Sequence, residues 1–183
     1  MYVKFFKRLL DFILSVTALI VLSPILLVLT VVGAIAMKGN PFFLQPRPGK
    51  KGKDGKEEIF KLIKFRTMSN AKDSNGNLLP DDVRLTKFGR LLRKTSLDEL
   101  PEAFNILKGD MSVVGPRPEM LANIFNYTSV LPEFEYRLRV KAGITGYAQI
   151  AGKYNTSPKD KLILDLMYIE EYSLWLDIKL LFQ

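Results

Sequence analysis

The feature that most limits how this chain can fold is an uncharged run of 26 residues, Phe12 to Met37, with Ser23-Pro24 near its middle. A straight helix of that length reaches about 39 Å, more than a hydrocarbon core of about 30 Å. Only 11 uncharged residues precede Ser23 and 13 follow Pro24, so each half alone reaches partway across. Pro24 removes one backbone donor and crowds the carbonyl of Ile20, which predicts a break or a sharp kink, with the Ser23 hydroxyl at hand for a freed backbone group. Lys4, Lys7 and Arg8 precede the run and Lys38 follows it. With both flanks basic, charge bias gives no reason to place the two ends on opposite sides of a bilayer. A re-entrant helix-break-helix fits this pattern, ahead of a tilted spanning helix. A cleaved signal peptide ranks third, because its apolar stretch usually measures about 7 to 15 residues. The chain thus divides into residues 1–40, a membrane element, and residues 41–183, a single polar unit.

The polar part is basic. The whole chain has 27 Lys and Arg against 19 Asp and Glu, a formal charge of +8. That surplus favours polyanionic partners such as anionic headgroups, nucleotide diphosphates or nucleic acid, without choosing among them. No His and no Cys occur, which removes disulfides, thiolate metal sites and the commonest general base. Any reaction must therefore run on carboxylates, hydroxyls or lysines, and any metal is expected to be oxygen-bound Mg²⁺ or Mn²⁺.

Residues 41–58, rich in Pro, Gly and Lys, read as loop with a hairpin around Lys53-Asp54-Gly55-Lys56. Ile59 to Met68 has a short strand pattern with Lys64 and Arg66 on one face, and residues 69–82 form a polar loop. Val83 to Lys94 projects as an amphipathic helix with a basic flank, suited equally to packing on a core or lying among headgroups. Arg93 falls off both arcs and is placed to face Asp98. A second helix is expected from Glu99 to Lys108, stopped by Gly109, with Asp98 as its N-cap so that Pro101 costs no intrahelical bond. Asp98 and Glu99 would then sit at a helix N-terminus that attracts phosphate; the plainer alternative is a structural cap. Gly115-Pro116-Arg117-Pro118 presents an arginine from a stiff loop, able to grip a diphosphate or simply to face solvent. Gly143 to Gln149 is a second small-residue loop, and Leu162 to Phe182 reads as amphipathic rather than spanning.

Taken in order, Ser23-Pro24, Gln45-Pro46-Arg47-Pro48-Gly49, Lys64-Phe65-Arg66-Thr67-Met68, Leu97-Asp98-Glu99-Leu100-Pro101, Asn105 to Ser112, Gly115-Pro116-Arg117-Pro118 and Gly143-Ile144-Thr145-Gly146 resemble the bacterial sugar transferases, the monotopic phosphoglycosyl transferases. The resemblance covers nearly the whole chain. It implies transfer of a sugar 1-phosphate from a UDP-sugar to polyprenol phosphate, with release of UMP, at the cytoplasmic face of a bacterial inner membrane. It implies that Asp98 is the nucleophile and forms a covalent phosphosugar intermediate, while Glu99 binds Mg²⁺. Lys64, Arg93 and Arg117 would hold phosphate oxygens, Asp165 would support the site, and Arg66, Pro118 and Gln149 complete the substrate-binding set.

The expected fold is α+β and helix-rich, with the re-entrant membrane helix, interfacial amphipathic helices and a small β element. The expected partners are the UDP-sugar, polyprenol phosphate and the lipid bilayer, with no nucleic acid; a homodimer is compatible. Ala142 stands where the family usually has Pro, implying a less rigid following loop. The chain looks like the short form, and its end at Gln183 inside an apolar run suggests a truncated C-terminus. The rival reading is a membrane-anchored basic lipid- or nucleic-acid-binding module without catalysis. A transferase of the polytopic kind would need several spanning helices, and one candidate segment is present.

Overall fold

The computed structural model describes residues 5–52, 55–152 and 156–183. The chain divides into two compact units. The first gathers residues up to Thr17, Pro46–Leu62 and Asn105–Gln183; the second gathers Ala18–Gln45 and Ile63–Phe104. Helix α1, Lys7–Ala36, is 30 residues long and is the one helix among the described residues long and apolar enough to cross a membrane. Its first turns belong to the first unit and the rest to the second.

The helix is not interrupted at Pro24, and α1 stays helical through it. The reason lies in Ser23, whose hydroxyl donates to the Ile20 carbonyl at 2.7 Å. That carbonyl is the acceptor left over by the missing Pro24 N–H, so the side chain replaces the lost bond. A second departure concerns the basic flank. Lys7, Asp11 and Ser15 are buried at four-residue spacing, a polar stripe turned toward protein, while Leu9, Phe12, Ile13, Ile20, Val21, Leu27 and Ile35 are exposed. This reverses the polarity of a helix on a water-soluble core.

In the first unit, Lys7 pairs with Asp177 at 2.5 Å, and the Arg8 guanidinium donates to the carbonyls of Ile106 and Leu107, both at 2.6 Å. Those carbonyls end helix α4, Glu102–Lys108, where a cation suits the unpaired acceptors. Strands β3, Ser112–Val114, and β4, Gly143–Thr145, pair in parallel with Ser112 opposite Gly143 and Val114 opposite Thr145. The small-residue loop expected at 143–149 is therefore corrected, being strand up to Thr145 and helical from Tyr147. A Cβ on Gly143 would lie 2.1 Å from the Gly115 nitrogen, so this crossing of backbones needs glycine. Val114, Val140, Tyr168, Leu176 and Leu180 form one core cluster, contributed partly by helices α7, Pro158–Glu170, and α8, Leu174–Leu181. A second cluster joins Phe60, Leu62, Ile106 and Met111. A third joins Ile124 of α5, Leu121–Val130, with Phe134 and Leu162.

Strands β1, Phe42–Lys51, and β2, Glu57–Phe65, pair as a two-stranded sheet. The expected loop at 41–58 is corrected here. Two strands offer only edges, and an edge tolerates Pro46 and Pro48; Gly49 runs so close to Glu58 that a Cβ would sit 2.6 Å from its carbonyl oxygen. Lys53 and Asp54 of the expected hairpin turn lie outside the described residues.

In the second unit, residues 69–80 form the expected polar loop, followed by a short helix α2, Asp81–Arg84. The amphipathic helix expected from Val83 begins later, as α3, Lys87–Lys94. Leu85 bridges to Met68 in extended form, and the Thr86 hydroxyl accepts from the Gly89 N–H at 2.9 Å, fixing the helix start. Leu92 of α3 is fully buried. At the far end of α1, a Cβ on Gly33 would touch Pro41 and Phe88.

Candidate functional site

The acidic motif lies in the second unit, on a local geometry different from the expected one. Ser96 adopts a left-handed conformation, φ 55°, and Leu97–Glu99 form a 3₁₀ turn. Bonds from Glu99 N to Ser96 O and from Leu100 N to Leu97 O carry the chain to Pro101, and α4 begins only at Glu102. The helix expected from Glu99 with Asp98 as N-cap is thus corrected. Pro101 has no N–H to give the Leu97 carbonyl, so that carbonyl takes a three-residue bond from Leu100 instead. The left-handed Ser96 reverses the chain after α3 and brings Asp98 and Glu99 up beside Arg93 and Lys64.

Lys64, on β2, is the pivot. Its ammonium donates to Glu99 Oε1 at 2.7 Å and lies 3.1 Å from Glu102 Oε1. Glu102 is buried and was not read from the sequence as a site residue. The spacing of Asp98, Glu99 and Glu102 was the available signal, since residues three and four apart share a helical face. Arg93 holds Thr67 Oγ1 at 3.1 Å through its Nε. Asp98 is half-buried. Burial pushes its carboxyl above the ordinary range, as does the adjacent Glu99 charge, against the pull of Lys64 and Arg93. Arg66 donates through Nε to the Met68 carbonyl at 3.0 Å.

The remaining sequence-derived positions lie in the first unit. Arg117 is exposed, and its carbonyl accepts from Arg137 Nη2 at 3.0 Å, while the Pro118 carbonyl accepts from Arg47 Nη1 at 3.1 Å. Asp165 is buried and paired with Arg137 at 2.7 Å. A sealed carboxylate reaches the loop only through Arg137, a place suited to the supporting part expected of Asp165 and not to direct contact with substrate. Glu119 completes this network with Lys161 at 2.5 Å and Arg137 at 3.7 Å. Burial pushes the Glu119 carboxyl up, but the Lys161 hydrogen bond and the charges of Arg137 and Lys161 outweigh it and hold the group below its usual range. Gln149, on α6, Tyr147–Ala151, donates to the Ile144 carbonyl at 3.0 Å. Arg137 was missed in the sequence; only its place in the charge-alternating stretch 133–139 marks it.

The donor set of the acidic turn suits Mg²⁺. That ion is usually held by one or two carboxylates together with substrate phosphates rather than by an all-protein cage, and Glu99 with Asp98 offers such a pair. No group of three or more acidic side chains able to hold a metal ion by themselves is found among the described residues. Chemically, the turn presents a half-buried carboxylate flanked by cations, an arrangement able to attack an anionic phosphorus while the cations offset the charge that develops.

A profile described as bacterial sugar transferase matches residues 2–183. The sugar transferase EpsL of Bacillus subtilis is 46% identical over 96% of this chain and 83% of its own length. A UDP-glucose:undecaprenyl-phosphate glucose-1-phosphate transferase of Klebsiella pneumoniae is 43% identical over 97% of this chain. A UDP-N-acetylgalactosamine-undecaprenyl-phosphate N-acetylgalactosaminephosphotransferase of Aeromonas hydrophila is 37% identical over 98% of it. The chain spans 38% and 42% of the length of the last two.

Proposed function

This chain belongs to the bacterial sugar transferase family, and from that premise we propose that it moves a sugar 1-phosphate from a UDP-sugar to polyprenol phosphate, releasing UMP. The observation that carries this reading is the acidic turn: Asp98, with its raised carboxyl, stands beside Glu99 and Glu102 gathered on Lys64.

In the first half-reaction an Asp98 carboxylate oxygen attacks the phosphorus that bears the sugar. The bond from that phosphorus to the oxygen shared with UMP breaks, and UMP leaves with the electron pair. Lys64 and Arg93 stabilise the negative charge as it spreads over the phosphoryl oxygens. Glu99, with Asp98 adjacent, would hold Mg²⁺, which when bound supplies further neutralisation of diphosphate charge. In the second half-reaction an oxygen of polyprenol phosphate attacks the aspartyl phosphate, and the Asp98 carboxylate departs free. Arg117 grips diphosphate from its stiff loop, with Pro118 setting that loop and Asp165 acting behind it through Arg137. Arg66 and Gln149, each anchored by one bond to a backbone carbonyl, complete the substrate-binding set.

The setting is the cytoplasmic face of a bacterial inner membrane, with residues 41–183 as the catalytic part and the bilayer as partner rather than nucleic acid. α1 is proposed to enter and leave by one face, bent at Pro24, a topology that its basic flanks Lys7, Arg8 and Lys38 favour. α8 lies at the interface, exposing Leu174, Trp175, Ile178 and Leu181, with Phe182 beyond its end.

The test is UMP release from a panel of UDP-sugars with undecaprenyl phosphate and Mg²⁺, together with intact-mass analysis after UDP-sugar alone. Ping-pong kinetics and a sugar-phosphate adduct on Asp98 are expected. A ternary-complex rate law without adduct would remove the covalent step; metal-independent, salt-sensitive binding without UMP release would favour the binding module.

A further inference from the structure

Within the first unit lies a cavity of about 120 Å³ that the proposed chemistry does not use. Lys7, Arg8, Asp11, Lys50, Arg139 and Lys141 line it. Two of the cations are already engaged: Lys7 pairs with Asp177, and Arg8 caps α4. Asp11 is the carboxylate on the wall, and its Oδ1 accepts from the Ser112 hydroxyl and the Val113 N–H, both at 2.9 Å. Asp110 pairs with Lys108 at 3.1 Å. Lys50, Arg139 and Lys141 have no carboxylate partner among the described residues, and Arg139 rests on the Tyr136 ring at 4.2 Å. Lys141 is half-buried; burial and then the neighbouring Arg8 charge push its ammonium below the ordinary lysine range. Five cations against the one carboxylate Asp11 leave the wall with a surplus of positive charge, which Asp11 and Asp110 offset at Lys141 only in part, and such a cavity is completed by an anion.

Its position in the sequence narrows the anion. Lys7, Arg8 and Asp11 come from α1 immediately before the uncharged run begins at Phe12, and Phe5, Phe6, Leu9, Phe12 and Ile13 of the same stretch are exposed. The part of the cavity wall that α1 supplies therefore lies within about a turn of helix, about 6 Å, of side chains that need lipid around them. Its volume admits a phosphoryl group with water around it, and its cationic wall selects an anion over a neutral sugar.

We propose that this cavity binds the phosphate of a phosphomonoester lipid whose chain lies along the exposed face of α1. This rests on the membrane placement of α1 given above, and either a membrane phospholipid or the polyprenol acceptor could supply the headgroup. The lysines act as point charges and Arg139 as a planar donor.

The full chain in phosphatidylcholine nanodiscs tests it. One set is doped with phosphatidic acid and a second with undecaprenyl phosphate, lipid affinity being read by titration and lipid retention by native mass spectrometry. Lys141→Gln and Arg139→Gln should each weaken retention of the phosphomonoester lipid about tenfold or more, as expected for loss of a charge-assisted bond. Lys141→Arg should restore most of it, and inorganic phosphate should compete. Arg139, being exposed, provides a variant whose folding is not at stake, and circular dichroism checks both. Preference for undecaprenyl phosphate would assign the cavity to the acceptor, and equal binding of both lipids to membrane phospholipid generally; either supports a lipid phosphate site. Unchanged retention in both variants, or binding of inorganic phosphate without either lipid, would overturn it. The Asp98 adduct forms from UDP-sugar without lipid, so its appearance judges the proposed reaction independently of the lipid result.

Discussion

Around Lys64, in the second unit, two glutamates share one ammonium while Asp98 beside them keeps a raised carboxyl. Around Arg137, in the first unit, Asp165 is sealed against a single guanidinium that also holds the Arg117 carbonyl and pairs with Glu119. Both clusters are built from carboxylates and cations, but only one leaves an acid half-open to solvent with its charge partly opposed by a neighbour. A buried, matched pair holds shape, and a mismatched one at the surface keeps free energy available for chemistry. The two should therefore respond to mutation in opposite ways.

The largest contrast is expected from Asp98→Asn. Loss of the nucleophile should cut turnover by at least about 10³-fold and abolish the adduct. Thermal stability should hold or rise slightly, because the replaced carboxylate was disfavoured by burial and by Glu99. A residual activity within tenfold of wild type would remove Asp98 from the reaction. At Arg137 the order is reversed. Arg137→Leu strands Asp165 without its partner, and breaking a buried pair from one side costs about 3 to 5 kcal/mol. Denaturant titration should show that loss, and the double replacement of Arg137 and Asp165 by Leu should recover part of it. Equal destabilisation by the single and double variants would mean that the pairing itself contributes little.

How much of this could be read from residues alone follows the same division. The acidic turn was legible as a motif because Asp98, Glu99 and Pro101 are contiguous, although its geometry was not. Propensity favoured an N-cap at Asp98, whereas the left-handed Ser96 and the missing Pro101 N–H together dictate a 3₁₀ turn. Arg137 and Asp165 stand 28 positions apart, and no local period links them; their pairing depends on the packing of Phe134 with Leu162. The polar stripe Lys7, Asp11, Ser15 was hidden for a related reason. In a run read for its apolar content, a buried lysine looks like a flanking charge until Asp177, 170 residues away, supplies its partner. Strand β1 was obscured by prolines that an edge accepts.

An intermediate effect concerns pH. Asp98 must be ionised to attack, and its carboxyl is raised, so adduct formation should fall away as pH drops through a value above the ordinary carboxylate range. Glu99→Gln removes one of the two raising influences and frees Lys64 from one carboxylate. The acid limb should move to lower pH in that variant, even though the overall rate falls. Burial, the larger influence, remains and keeps the limb above the ordinary range. In the other cluster burial raises the Asp165 carboxyl in spite of Arg137, but Glu119 has the opposite sign: it is held low, so its stabilisation is present above the ordinary glutamate range and is lost as pH falls through the lowered value. Glu119→Gln should flatten the acid side of the stability profile without moving the limb of adduct formation. A shift of both profiles by either variant would mean the two clusters are energetically one.

The smallest expected effect tests how Arg93 is held. The Thr86 hydroxyl accepts from the Gly89 N–H at 2.9 Å and lies 3.2 Å from the Thr67 carbonyl, so one side chain starts α3 and ties it to the segment that Arg93 also bonds. Thr86→Ala should lower stability by about 1 kcal/mol, the usual cost of losing an N-cap, and Thr86→Ser should restore nearly all of it. Arg93 sits at the other end of the same eight-residue helix, so the alanine variant should slow adduct formation only a fewfold. A stability loss with no change in rate would confine Thr86 to folding, and it would leave the Arg93 bond to Thr67 as the sole fix on the guanidinium beside Asp98.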